Sequence, residues 1–153
     1  MKLSELLDED NIITELSARE KKGVLEELVA AVIRHEPSID KSTLVKVLLE
    51  RERLGSTGIG DGVAIPHGKY HGISRPLISF GRSREGLDFD SMDGQPAHLF
   101  FLLVAPEGSA NIHLKVLATI ARILKNSAFR KTLMEAPSRE EIYRKIVQYD
   151  EKF

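Results

Sequence analysis

Ala97-His98-Leu99-Phe100-Phe101-Leu102-Leu103-Val104 carries no acidic or basic side chain other than one histidine, and its apolar residues fill both alternating sets of positions. A strand with that pattern must be covered on both faces, so it belongs at the centre of a sheet with a layer above and a layer below. The nearest companion upstream is Leu77-Ile78-Ser79-Phe80-Gly81, a second strand, with a turn-rich connection over Gly86 to Gln95 between the two. Further upstream, Gly62-Val63-Ala64-Ile65-Pro66-His67 alternates like a short strand that stops at proline, and Asn11 to Leu16 reads as another.

Helices fill the rest. Ser17-Ala18-Arg19-Glu20 has the form of a capping box, followed by Val24, Leu25, Leu28, Val29 and Val32 at helical spacing, which predicts a helix to about His35. A second helix is expected from Asp40 or Lys41 to Arg53, on the stripe Leu44, Val45, Val47, Leu48 and Leu49. After Pro106 and Ser109, a third helix buries Ile112, Val116, Leu117, Ile120, Ile123 and Leu124, and a short fourth covers Ser127 to Glu135. Ser138-Arg139-Glu140-Glu141 is a second capping box that opens a closing helix through Ile142, Ile146 and Val147. Helices on both sides of a buried sheet give an α/β three-layer sandwich, and 153 residues suit one domain over 1–153.

The whole-chain properties exclude several classes of function. A formal net charge of -1 lacks the basic excess of a nucleic-acid binder and gives no attraction to an acidic membrane surface. The chain has no cysteine, which removes disulfides, thiolate metal sites and cysteine nucleophiles. The acidic start, Met1 to Asp10, does not read as a secretory signal, and the run Leu99 to Ala105 falls far short of the roughly 20 residues of a membrane helix. The expectation is a cytoplasmic protein with no direct membrane insertion.

Chemistry concentrates in one segment. Six of the eleven glycines lie between Gly55 and Gly72, which suits a shaped loop rather than a linker. Within it, His67 stands between Pro66, whose ring fixes the backbone, and Gly68, which permits an unusual turn. A neutral imidazole is nucleophilic near pH 7, and the hydrogen bond made by one ring nitrogen selects the other for attack. The competing reading, in which His67 merely ends a strand at a polar surface, has equal weight on local features alone. Arg51, Ser56 and Thr57 upstream offer a cation and two hydroxyls for phosphate oxygens, and loop amides add donors. His113 falls in the first turn of the third helix, where free amides favour an anion.

The stretch Arg51-Glu52-Arg53-Leu54-Gly55-Ser56-Thr57-Gly58-Ile59-Gly60-Asp61-Gly62-Val63-Ala64-Ile65-Pro66-His67-Gly68-Lys69 closely resembles the active-site region of fructose/mannitol-type (type 2) enzyme IIA domains of the bacterial phosphoenolpyruvate-dependent phosphotransferase system. His113-Leu114-Lys115-Val116-Leu117-Ala118 with Arg122-Ile123-Leu124 resembles the family's second histidine helix, and Ser138 to Tyr143 its closing helix. The resemblance covers nearly the full chain, and the wording of the glycine segment is nearest the nitrogen-regulatory branch. It implies a mixed sheet of about five strands, His67 as the phosphorylated histidine, His113 as the second active-site histidine and Arg51 beside them. It also implies a histidine-containing phosphocarrier protein as donor, and a IIB partner or regulatory target proteins as the next contact. Transfer would run in line between histidines with no cofactor and no metal, Ser56 and Thr57 being secondary phosphate contacts.

Two other readings remain. His67 and His71 have His-x-x-x-His spacing, with His98 and His113 as further metal-ligand candidates, but Gly68 and Gly72 disfavour the helix that would align them. A binding module without phosphoryl chemistry is the second, and the retained His67, His113 and Arg51 set argues against it. His71 reads as a rim residue, His35 as a residue following a helix, and His98 as the start of a buried strand. The pairs Arg82/Arg84 and Lys21/Lys22 read as solvated faces. The chain carries no evident IIB or IIC segment, and nothing in it names a sugar.

Overall fold

The computed structural model describes residues 2–152. The expected central strand is β6 (Ala97–Pro106), and it is flanked antiparallel by β5 (Leu77–Leu87). Along the other side of β6 run two short parallel strands in succession, β3 (Val63–Ala64) against Leu99 and Phe100, and β4 (His67–Tyr70) against Leu103 to Pro106. The edges are β1 (Leu7–Ile13), parallel to β5, and β2 (Gly58–Gly60), antiparallel to β3. The sheet is therefore mixed and six-stranded, where about five strands were expected. Beyond the four strands read from the residue pattern, β2 is new, and the expected Gly62–His67 strand is two: Ile65 and Pro66 interrupt it, proline having no N–H to give the ladder.

Side chains of β6 supply both cores. Leu99, Phe101 and Leu103 join α1 (Leu3–Leu6), α4 (Ala110–Leu124), α5 (Ser127–Glu135) and α6 (Arg139–Lys152) on one face. Phe100, Leu102 and Val104 meet α2 (Lys21–Ile33) and α3 (Lys41–Arg53) on the other. The three-layer α/β sandwich follows from this two-sided burial. No helix among the described residues is long and apolar enough to cross a membrane.

Several local expectations are corrected. The strand expected over Asn11 to Leu16 runs instead from Leu7 to Ile13. The Ser17–Glu20 capping box does not form, because the Ser17 and Ala18 amides donate to the Glu27 carboxylate and Glu20 itself becomes the N-cap. The Ser138 box is half realised: Ser138 Oγ accepts from Glu141 N at 3.2 Å, while the Glu141 carboxylate turns to Arg144. α3 is capped as expected, Asp40 accepting from Thr43 N at 2.9 Å. Ile112, expected to be buried, is 37% exposed, and His113 takes the buried position in its place.

Arg82 is not on a solvated face. It is buried at 2% exposure and donates to the carbonyls of Thr14, Leu133, Met134 and Ala136. Three of those acceptors lie at the end of α5, the negative pole of that helix, where a cation is favoured. Lys21 is likewise not simply solvated: its ammonium reaches Glu52 and Asp90 at 3.1 and 3.2 Å and lies 4.7 Å from the centre of the Phe89 ring.

Candidate active site

His67 opens β4 on the central strand, held by pairing with Leu103 of β6. Gly68 is needed here for close approach rather than for a turn, since it lies in the strand and a Cβ would meet Val47 at 3.0 Å and Leu48 at 3.3 Å on α3. The true turn lies earlier, between β2 and β3, where Gly60, Asp61 and Gly62 all have positive φ (99°, 58° and 77°).

The His67 ring is half-buried, and its Nδ1 lies 2.8 Å from the Ile65 carbonyl. A carbonyl oxygen only accepts, so Nδ1 carries the hydrogen and Nε2 keeps its lone pair. Burial lowers the pKa of His67 from 6.5, the Ile65 carbonyl opposes that, the Arg51 charge lowers it further and Glu52 raises it. The ring is therefore neutral at pH 7.

His113 meets His67 edge to face, with ring centres 5.3 Å apart. It lies in the first turn of α4, where the opening helical bond runs from its own N–H to Ser109 O at 3.0 Å. The side chain is 8% exposed and its Nδ1 has no hydrogen-bond partner among the described residues. A buried lone pair without a donor costs less than a buried N–H without an acceptor, which places the hydrogen on Nε2. Burial, then the neighbouring His67 and Lys69, lower its pKa from 6.5.

Arg51 lies in the last turn of α3 and is anchored by donation from its guanidinium to Gly55 O at 2.8 Å, and its charge is felt at His67. The two hydroxyls are engaged elsewhere. Ser56 Oγ donates to Phe89 O at 2.5 Å and accepts from Gly58 N at 3.0 Å, while Thr57 Oγ1 donates to the Glu52 carboxylate. Their geometry shapes the loop between α3 and β2. β2 and the turn after it are also laced to the β5–β6 connection, through Met92 N to Gly58 O at 3.0 Å and Asp61 N to the Asp93 carboxylate at 3.1 Å.

The remaining histidines are spread out. His71 is an exposed partner of Glu107 at 3.2 Å, His98 bonds the Ser83 carbonyl at 3.0 Å, and neither joins His67. His35 approaches Asp8 and Asp10 at 3.6 and 3.9 Å, and among the described residues these three are the group with donor atoms close enough to share a metal ion. All three are exposed. Glu52, whose burial and neighbours are part of this site, was not singled out from sequence; its place beside Arg51 at the end of a helix was the available signal.

Residues 5–149 match the family model described as phosphoenolpyruvate-dependent sugar phosphotransferase system, EIIA 2. The chain belongs to this family. As a type-2 IIA protein it is 41% identical over 143 residues to a nitrogen regulatory protein of Bradyrhizobium diazoefficiens, covering 94% of this chain and 93% of that one. It is also 41% identical over 150 residues to the fructose-specific EIIABC component of Bacillus subtilis, covering 98% of this chain but only 24% of that longer protein. Among solved structures, nitrogen regulatory protein IIA-Ntr from Neisseria meningitidis matches with a TM-score of 0.88 at 35% identity, covering 94% of this chain and 98% of that one. Enzyme IIA mannitol of Escherichia coli, in complex with phosphorylated enzyme IIB mannitol, matches in fold with a TM-score of 0.74 at 19% identity, over 94% of this chain and 99% of that one. This IIA protein is thus a phosphotransferase-system component homologous to both the nitrogen-regulatory and the sugar-specific proteins.

Proposed function

We propose that residues 1–153 act as one IIA domain that takes a phosphoryl group onto His67 Nε2 from a histidine-containing phosphocarrier protein in the cytoplasm. The observation that carries this is the 2.8 Å contact between His67 Nδ1 and Ile65 O, which leaves Nε2 as the free nucleophilic nitrogen. As the His67 N–P bond forms, the donor's N–P bond breaks and its electron pair returns to the donor imidazole. Positive charge appearing on the His67 ring is met by the Ile65 carbonyl at Nδ1. Arg51 offsets the phosphate charge, and His113 offers its Nε2 hydrogen to a phosphate oxygen. Ser56 and Thr57 assist by shaping the loop, through their bonds to Phe89, Gly58 and Glu52.

The test is phosphorylation of purified protein by phosphoenolpyruvate, enzyme I and the phosphocarrier. His67→Ala is expected to take up no phosphate, and undiminished labelling of that variant overturns the assignment. His113→Ala should stay folded and be labelled more slowly, on the order of 100-fold, as for loss of one charge-stabilising donor; an unfolded variant would instead make His113 a core residue.

The phosphate's destination follows the nitrogen-regulatory reading, in which phosphorylation changes the surface offered to regulatory target proteins. A second reading, transfer to a sugar-specific IIB, is favoured by the identity with the fructose-specific relative. Stable phosphorylation in the presence of IIB proteins supports the regulator, and rapid onward transfer supports transport.

A further inference from the structure

Glu52 is the last-turn neighbour of Arg51 on α3, and it sits where physical chemistry disfavours it. A carboxylate at the C-terminal end of a helix meets the negative end of the dipole, and burial adds a desolvation cost. Its side chain is nonetheless only 4% exposed. Three donors converge on it: Thr57 N at 3.1 Å, Thr57 Oγ1 in a short bond, and Lys21 Nζ at 3.1 Å from the first turn of α2. Nothing in the phosphoryl transfer described above uses this group.

The hydrogen bonds continue past it to the reacting ring. Glu52 holds Thr57 at both its amide and its hydroxyl, Thr57 O accepts from Ile65 N at 3.0 Å, and Ile65 O accepts from His67 Nδ1 at 2.8 Å. Ile65 is thereby fixed at its N–H by the loop that Glu52 anchors, and its carbonyl selects the His67 tautomer. We infer that Glu52 is a positioning residue for His67, acting through Thr57 and Ile65, with Lys21 as its ion-pair partner. This rests on His67 being the phosphoryl acceptor.

Glu52 differs from a merely structural acid, because its loss should change which His67 nitrogen bears hydrogen. Glu52→Gln is expected to fold, since Lys21 is 20% exposed and keeps Asp90 at 3.2 Å. Histidine ring 15N spectra should move from one Nδ1–H tautomer in the parent to a mixture in Glu52→Gln. The single-turnover rate of phosphorylation should fall about tenfold, a loss typical of imperfect orientation, while KM for the phosphocarrier stays within about twofold. Glu52→Asp should recover part of both effects. If Glu52→Gln fails to fold, the Glu52→Gln/Lys21→Met double variant removes the unpaired cation and is read in the same way. A folded variant with the parent rate and an unchanged His67 tautomer overturns the inference. His67→Ala run alongside separates the two failures: if it is still labelled, the acceptor assignment falls, whereas an inert His67→Ala with a fully active Glu52→Gln removes the positioning role alone.

Discussion

At the residue scale, the paired histidines give the site a defined response to acid. Burial is the main cause lowering both His67 and His113 from 6.5. Between those lowered values and 6.5 the unfolded chain binds more protons than the folded one, so this contribution to stability is present above that window and is lost as pH falls through it. Urea midpoints measured from pH 7.5 down to 5.5 should therefore decline, and the decline should be shallower in a His113→Gln variant. On the proposed mechanism, in which neutral His67 is the nucleophile, the phosphorylation rate should hold below pH 6.5 before falling; an acid limb centred above 6.5 would contradict it. Both histidines are candidates from sequence, and the structure brings their rings together. His67 stood out between Pro66 and Gly68, although the reason for Gly68 was not legible there, since the approach of Val47 and Leu48 is a contact between distant elements.

At the element scale, short pieces and side-chain competition set the limit of legibility. The three residues of β2 carry too little alternation to read, and they form a strand only because β3 lies alongside, itself paired to β6. Ser17 and Glu20 had the right spacing for a cap, but Glu27 reaches the same amides from within α2. Arg82 looked like half of a charged surface pair, and only the carbonyls at the end of α5 explain its burial. Replacing it with Met leaves several of those carbonyls buried without a donor, at about 1–3 kcal/mol each, so Arg82→Met should lose on the order of 3 kcal/mol or more in urea unfolding. By contrast, Asn126 caps α5 by accepting from Phe129 N at 2.9 Å, and Asn126→Ala should cost about 1 kcal/mol.

At the scale of the molecule, the reading of Ala97 to Val104 as a strand buried on both faces was enough to establish the layers. What it could not supply was order: which strands flank β6, and that β3 and β4 share one of its sides, depend on pairings between segments far apart in the chain. The two cores meet only through the sheet, and their ring pairs are separate, Phe101 with Phe80 and Phe100 with Phe89. Phe101→Leu and Phe100→Leu should each cost about 1 kcal/mol for the lost ring pair. In a double-mutant cycle by urea unfolding the two should add within about 0.5 kcal/mol; a larger coupling would mean that the faces communicate through β6.

His67 is rooted in a strand that pairs with the central strand, not carried on a free loop. With phosphate on His67, the pairing of β4 to β6 would hold the backbone beneath it in place. The two forms would then share one shape and differ by a local anionic charge of nearly two. A protein that must tell them apart has to sense electric field rather than conformation, so its discrimination should weaken steadily as added salt shortens the screening length.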